Sequence, residues 1–214
     1  MINISITRKC KCCKEYLDIE KDNFVYYKKR YYHFDCAVNE TLDRKNNKLS
    51  KEQCVKKFLD IQKENQKEVE FKIIKDKLFR WLHNTYNTVV LPKTFYVKMN
   101  DIFIGKYIGM SKGIPPEDLF DMWKRKKSEL DRINAFNNKK GKVLIGGARI
   151  QYDLAILLSK YDSYLKWKEQ QKIIEQERQQ IKADFENKIN FNKIYINKEN
   201  DDSSFNISDI LDEI

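Results

Sequence analysis

The sequence has no apolar run that approaches the roughly 20 residues needed to cross a bilayer as a helix. Its first residues, Met1-Ile2-Asn3-Ile4, also lack the design of a secretory signal peptide. Five cysteines are present, and they suit a metal site in a reducing compartment better than a framework of disulfides. We therefore expect a cytoplasmic protein with no membrane partner.

Histidine is scarce, since His33 and His83 are the only two in the chain. If one of them binds a metal, no Ser-His-Asp triad is available. The glycine-rich Walker motif that cradles nucleotide phosphates is also absent. Glu70-Phe71-Lys72 has the Glu-x-Lys spacing of one nuclease family, but it lies in a helical pattern without a second metal-binding carboxylate. We therefore expect that the protein is not an enzyme, and that His83 is solvent-facing or hydrogen-bonded.

The clearest motif is a CxxC pair followed by an HxxC pair. Cys10 and Cys13 form the first pair, and His33 and Cys36 form the second. Ligands of these types suit tetrahedral zinc, and four protein ligands leave no open position for a catalytic water. Two alternatives remain open: Cys12 can replace Cys10 as a ligand, or Cys10 and Cys13 form a disulfide or simply pack.

The residues between the two pairs predict a β-hairpin. Two β-favouring runs in segment 24–32 flank the basic turn Lys28-Lys29-Arg30, and helical spacing follows Cys36. This order of knuckle, hairpin and helix resembles the treble-clef zinc fingers, and the ligand spacing is similar to one half of a LIM domain. The resemblance implies a closed structural zinc site in a module that contacts either proteins or nucleic acid.

The finger together with two later segments carries a second resemblance. With Asp121–Lys126 and Tyr152–Leu158, it resembles small uncharacterised zinc-finger proteins of phages that infect low-GC Gram-positive bacteria. This resemblance covers most of the chain. It implies a phage-encoded protein that binds DNA during replication or regulation, or a factor that binds and redirects a host complex such as a polymerase, nuclease or defence effector.

The rest of the chain predicts helices. A capping box at Ser50–Gln53 starts one, and its polar stretch Gln62–Glu68 suggests a stalk or hinge leaving the finger. Amphipathic spacing indicates further helices from residue 69 onward, including one that runs from about 148 past Trp167. Residues 143–145 are interpreted as a strand or wing, and residues 190–197 as a strand or extended linker. Cys54 is interpreted as a small buried hydrophobe.

The predicted fold class is mostly α with a small amino-terminal treble-clef-like zinc finger, made of a β-hairpin plus a helix. The predicted boundaries are 1–48 for the zinc finger, 49–68 for a helical arm, 69–167 for a helical body, 168–198 for an extended helix and linker, and 199–214 for an acidic tail.

The net charge of +10 favours nucleic acid as a partner, because lysine and arginine displace counterions from phosphates. Lysine greatly outnumbers arginine, a bias that an AT-rich genome would also produce, so the charge is supporting evidence only. The densest basic cluster lies on a helix face and in the loop that follows it, and a solvated helix face is the alternative interpretation. The candidate contacts are Lys28, Lys29, Arg30, Lys124, Arg125, Lys126, Lys127, Lys139, Lys140, Lys142 and Arg149.

The carboxyl-terminal residues 199–214 are acidic and contain no lysine or arginine. Apolar residues are spaced among the acids, a pattern typical of segments that dock on a protein partner or compete with nucleic acid for a basic patch. A frayed terminus is the alternative. The candidate partner-binding residues are Phe205, Ile207, Ile210, Leu211 and Ile214.

Trp167, Ile174 and Ile181 are seven residues apart and form a thin apolar seam. Such a seam is weaker than the paired a and d positions of a robust coiled coil. The sequence therefore predicts a monomer or a weak homodimer.

Overall fold

The computed structural model describes the backbone of residues 6–202 and the side chains of residues 6–186. This part of the chain contains four short strands, in two antiparallel pairs, and six helices. The prediction of a mostly α fold with a small amino-terminal hairpin unit is confirmed. The chain divides into two compact units, Met1–Leu158 and Ser159–Ile214, which are described separately.

The finger consists of two hairpins followed by a helix. Strands β1 (Thr7–Lys9) and β2 (Tyr16–Asp18) pair first, β3 (Phe24–Tyr27) and β4 (Arg30–His33) pair next, and helix α1 (Phe34–Leu42) follows directly. Lys28 and Lys29 connect β3 to β4 with φ angles of 47° and 61°. Positive φ at both residues is the geometry of a tight two-residue hairpin turn, whose twist matches that of the strands. The predicted order of knuckle, hairpin and helix is therefore present.

Helix α2 (Lys51–Thr85) links the finger to the helical body without interruption. The capping box is present, since the Ser50 side chain accepts from the Gln53 amide and the Gln53 side chain accepts from the Ser50 amide. The stretch Gln62–Glu68 is helix, so its interpretation as a stalk or hinge is wrong. Gln62 donates to the Phe24 carbonyl, and Asn65 donates to the Tyr26 carbonyl at 2.8 Å.

These two hydrogen bonds from side-chain amides explain why this part of α2 is polar. Strand β3 pairs only with β4 in its sheet, which leaves a row of backbone carbonyls on its other edge. An exposed strand edge needs hydrogen-bond partners, and the amide side chains of α2 supply them. A polar helix face is therefore the surface on which the hairpin packs.

The helical body contains α3 (Lys93–Ile104), α4 (Pro116–Lys139) and α5 (Gly146–Ser159). Gly105 ends α3 in the left-handed region with φ 74°, as helix C-termini commonly do. The following loop is a tight connection, because a Cβ on Gly113 would stand 2.1 Å from the Phe103 carbonyl oxygen. The largest fully buried side chains of the body are Leu78, Leu82, Phe95, Met99, Ile102, Ile114, Leu119, Trp123 and Leu130.

Helix α6 (Tyr161–Asp202) forms the described part of the second unit. It begins after a break at Lys160, so the helix predicted to run from about 148 past Trp167 is in fact two helices. Residues 190–197 lie inside α6, and the prediction of a strand or linker there is wrong. Residues 143–145 form neither helix nor strand.

The predicted contacts of the acidic tail, from Phe205 to Ile214, lie outside the described residues. Within the described residues, no helix is both long enough and apolar enough to pass through a membrane.

Candidate metal centre

The two predicted ligand pairs meet at one point of the finger. The ligand atoms of Cys10, Cys13, His33 and Cys36 all lie within 4.8 Å of one another. The Nδ1 atom of His33 is 3.3 Å from the Cys13 sulfur and 3.9 Å from the Cys36 sulfur. Tetrahedral zinc with metal–sulfur distances of about 2.3 Å places its ligand atoms roughly 3.8 Å apart. The cluster therefore has the composition and the dimensions of a four-ligand metal site.

Local backbone structure explains how each ligand reaches this point. Cys10 follows β1 and Cys13 lies in the turn to β2, where Lys14 adopts φ 67° and the Cys10 amide donates to the Glu15 carbonyl at 2.8 Å. His33 is both the last residue of β4 and the residue that precedes α1, and Cys36 lies in the first turn of that helix. The HxxC spacing therefore places both ligands at one helix end.

A backbone hydrogen bond joins the two halves of the site. The Lys11 amide donates to the Tyr31 carbonyl at 2.9 Å, which ties the knuckle to β4. The cluster contains Cys10 and not Cys12, whose side chain is exposed. All five cysteines are free thiols, so the disulfide alternative is wrong as well. Cys54 is buried in the hydrophobic core of the finger, as predicted.

The thiols are not electrically independent. Burial opposes ionisation of Cys10, but backbone amides of Cys13, His33 and Cys12 point at its sulfur and lower its pKa to about 6. Burial, the hydrogen bond to Cys13 and the nearby Cys10 sulfur raise the pKa of Cys36 to about 12. The protein groups alone therefore favour the thiolate at Cys10 and disfavour it at Cys36. A divalent cation at the centre would remove that conflict, because its ligands bind as thiolates.

A basic surface, here called the finger patch, lies beside the metal cluster. Lys28, Lys29 and Arg30 are exposed at the hairpin turn, where sequence reasoning expected them. The knuckle adds Lys11 and Lys14. The pKa of Lys11 is lowered, chiefly by the charge of Lys14 and then by that of Arg30, because like charges lie close to the Lys11 ammonium. The finger patch is defined as Lys11, Lys14, Lys28, Lys29 and Arg30.

Sequence reasoning missed Lys11 and Lys14. Both lie in or beside the CxxC motif, a position that could have marked them as surface residues of a zinc knuckle. What the spacing could not show is that the knuckle packs beside the hairpin, which requires the hydrogen bond between Lys11 and Tyr31.

The predicted basic face of α4 is largely paired with acidic side chains of the same region. Lys124 lies over the Phe120 ring, 3.8 Å from its centroid. Lys139 is exposed at the end of α4, and Lys140 and Lys142 are exposed just beyond it, with Lys140 over Phe136. The ion pairs are Arg125 with Asp121 at 2.6 Å, Lys126 with Glu129 at 2.9 Å, and both Lys127 and Arg149 with Asp131.

Two of these basic residues belong to a buried polar network in the body. Tyr86 donates to the Asp153 carboxylate at 2.6 Å and accepts from the Trp123 indole at 2.7 Å. Arg149 approaches the same carboxylate at 3.6 Å and lies 5.2 Å from the centroid of the Tyr86 ring, as Lys127 does at 5.3 Å. The side chains of Lys127 and Arg149 are only 22% and 20% exposed. Both therefore stabilise the body.

Burial is the main influence on Asp153, which is fully enclosed. It raises the pKa of this carboxyl, against the hydrogen bond from Tyr86 and the charges of Arg149 and Lys127. One of its oxygens, Oδ1, has no hydrogen-bond partner. Nothing in the linear sequence pointed to this carboxylate, because its hydrogen-bond partner Tyr86 lies on another helix segment far away in the chain.

His83 is a structural histidine. The Thr88 carbonyl can only accept, so Nδ1 of His83 carries the proton of the 2.7 Å bond between them. Its Nε2 atom then accepts from the Tyr96 hydroxyl at 3.1 Å. The interpretation of His83 as hydrogen-bonded is confirmed.

Comparison of the chain with protein-family models, with curated proteins and with solved structures gives no match. The resemblance to phage zinc-finger proteins therefore stays a prediction.

Proposed function

We propose that this chain is a zinc-stabilised protein that binds nucleic acid through the finger patch. The observation that carries the proposal is the convergence of Lys11, Lys14 and Arg30 beside the candidate metal site. The Lys11 amide donates to the Tyr31 carbonyl at 2.9 Å, which brings the knuckle next to Arg30, and the charges of Lys14 and Arg30 lower the pKa of Lys11. Phosphates relieve such repulsion and release counterions in exchange.

The metal has a structural role in this proposal. Cys10, Cys13, His33 and Cys36 fill the four positions that zinc uses in closed sites, so no position remains for a substrate water. Zinc would supply folding energy and rigidity to the hairpin and the knuckle, and the finger would act as a binding module and not as a hydrolase.

The hairpin turn supports a binding role for its lysines. A tight turn with positive φ at both positions favours Asn-Gly, because glycine has no Cβ that clashes in this region. Lys28 and Lys29 occupy these positions at φ 47° and 61°, at a cost of about 1 kcal/mol each. Lys28 lies over the Tyr27 ring, 5.3 Å from its centroid, and contact of both exposed lysines with phosphate would offset more of this cost.

The α4 face has a secondary place in the proposal. Lys124, Arg125 and Lys126 are exposed, but neighbouring carboxylates offset the charges of Arg125 and Lys126. Lys139 at the end of α4, and Lys140 and Lys142 in the loop that follows, are exposed and add positive charge to the same region. The resemblance to phage proteins supports a phage-encoded role in DNA replication or regulation.

Fluorescence anisotropy with a labelled oligonucleotide across a salt series tests the proposal. Each cation that no longer binds a phosphate should reduce the slope of log affinity against log salt by about 0.9 on duplex DNA. The variant Lys28→Gln/Lys29→Gln/Arg30→Gln should therefore lower both the affinity and the slope. A matched control, Lys124→Gln/Arg125→Gln/Lys126→Gln, removes the same formal charge from α4 and should change both much less.

Equal losses of affinity in the two variants would show that only the net charge matters, and would refute the finger patch as the binding surface. A salt response that is flat for the unmodified protein would refute nucleic-acid binding through phosphates. It would favour the alternative, a protein-interaction factor that modulates a host complex through the finger or the acidic tail. Deletion of residues 199–214 would then abolish capture of that complex without changing nucleic-acid affinity.

A further inference from the structure

One face of α6 carries a row of apolar side chains. Trp167, Ile174 and Ile181 are seven residues apart, and Tyr164 and Phe185 continue the row at intervals of three and four. Ile174 is 40% exposed, Ile181 is 69% exposed and Phe185 is 63% exposed. A long helix with this much uncovered apolar surface is stabilised by a partner that covers it.

The two edges of this row carry charges that select the partner. With Trp167 at heptad position d, Glu177 and Asp184 occupy the g edge. Lys168, Glu175 and Lys182 occupy the e edge. In a parallel pair of identical helices, Glu177 of one copy meets Lys182 of the other, and symmetry forms this pair twice. In an antiparallel pair, the two acidic g edges would face each other and repel.

The polar residues inside the row suit the same arrangement. Gln171 and Arg178 occupy the a positions between the apolar layers. In a parallel pair, Gln171 faces the same residue of the second copy, and their amides can hydrogen-bond to each other. Arg178 inserts beside Glu177 of the second copy, which offsets its charge. Polar a positions set the register of a coiled coil and weaken it.

We propose that α6 joins two copies of this chain in a parallel two-stranded coiled coil over residues 164–185, in a reversible dimer. This proposal rests on the second compact unit alone and does not depend on the proposed nucleic-acid binding.

Analytical ultracentrifugation of the full zinc-loaded chain over a concentration series tests it. The unmodified protein should show a monomer–dimer equilibrium, and Ile181→Asp should shift it to monomer. The control Ala183→Asp places the same residue on the outer face of α6 and should leave the equilibrium unchanged. Circular dichroism of each monomer at low concentration separates loss of the interface from loss of the helix.

A charge-swap cycle tests the parallel orientation. Glu177→Lys alone and Lys182→Glu alone should each weaken the dimer by roughly tenfold, because two attractive pairs become repulsive. The double variant Glu177→Lys/Lys182→Glu should restore wild-type association. Arg178→Ile should strengthen it by at least about tenfold, since it completes an apolar layer.

Three results would overturn the proposal. The first is that the chain remains monomeric at millimolar concentration even with Arg178→Ile. The second is that the double charge swap does not restore association. The third is that the Glu177→Lys variant associates more tightly than the unmodified chain. The last would show that acidic edges face each other in an antiparallel pair.

Discussion

Removal of the metal should unfold the finger and leave the helical body folded. The finger has strands of three or four residues in two-stranded sheets, which are marginal without further stabilisation. A structural zinc site contributes about 10–16 kcal/mol, whereas a whole domain is stable by about 5–15 kcal/mol. Loss of the metal therefore exceeds what the remaining interactions of the finger can offset.

The unfolding should extend into the first part of α2 but not beyond. Cys54 and Phe58 of α2 are buried in the same core cluster as Leu17, Val25 and Val38 of the finger. When the finger unfolds, these α2 residues lose the surface that covers them. The buried Trp123 belongs to the body core and is not a member of this cluster, so its surroundings should not change.

Hydrogen exchange measured by mass spectrometry, with and without a chelator, checks this prediction. Amide protection in residues 6–42 and in the first turns of α2 should be lost, while protection in α4 and α5 should remain. Trp81, which packs on Phe120 of α4, and Trp167 are not members of the finger core either, so tryptophan fluorescence should not shift. Two cysteine variants give a matched comparison, because Cys36→Ala removes a ligand whereas Cys12→Ala removes an exposed thiol that is not part of the cluster.

This prediction would be refuted by purified protein without bound transition metal in elemental analysis. It would also be refuted if chelation left the finger protected, or if Cys12→Ala released the metal as readily as Cys36→Ala does.

Three further predictions concern the turn, the buried network and pH. The variant Lys28→Asn/Lys29→Gly should stabilise the finger by about 1–2 kcal/mol, since it relieves two strained φ angles, and it should weaken oligonucleotide binding. Thermal melts measure the stability and fluorescence anisotropy measures the binding. Equal or tighter binding would contradict a role of these lysines in contacting phosphate. Urea unfolding should show that Tyr86→Phe destabilises the body by about 2–4 kcal/mol, because the variant leaves the buried Asp153 carboxylate and the Trp123 indole without their hydrogen-bond partner. The control Tyr96→Phe removes a hydroxyl at a more exposed site and should cost less than about 1 kcal/mol. Burial raises the pKa of Asp153 above the ordinary 3.8, so the contribution of the protonated carboxyl to the free energy of unfolding is fully present below pH 3.8 and is lost as pH rises through the raised pKa. Urea unfolding from neutral pH toward pH 3.8 should therefore show a gain in stability that the Asp153→Asn variant lacks. An identical pH profile in the variant would contradict this.

The metal cluster was predictable from spacing because its determinants are local. The CxxC spacing places two ligands together in a tight turn, and the HxxC spacing places two ligands together at a helix start. The hairpin between these motifs brings the second ligand pair back to the first pair. The start of α2 was predictable for the same reason, since Ser50 and Gln53 form a reciprocal bond within three residues. The sequence left Cys12 open as an alternative ligand, and the structure places Cys10 in the cluster instead.

Errors occurred where a segment's character depends on a distant neighbour. Gln62–Glu68 is polar because it satisfies the edge of β3, an interaction between residues about forty positions apart, and in isolation the run reads as a hinge. Residues 190–197 alternate like a strand, yet they extend a helix that had already begun. Extending an existing helix adds a hydrogen bond for each residue without a new nucleation cost.

The amino-acid sequence by itself determined the ligand types, their pairwise spacing, the helix starts and the total charge. Tertiary structure alone decided which charges are exposed for binding. It placed Lys11 and Lys14 beside Arg30, it paired Arg149 with Asp131, and it enclosed Asp153 under Tyr86. The reason is physical: hydrogen bonds within a turn depend on neighbouring residues, whereas burial and ion pairing depend on groups brought together only by folding.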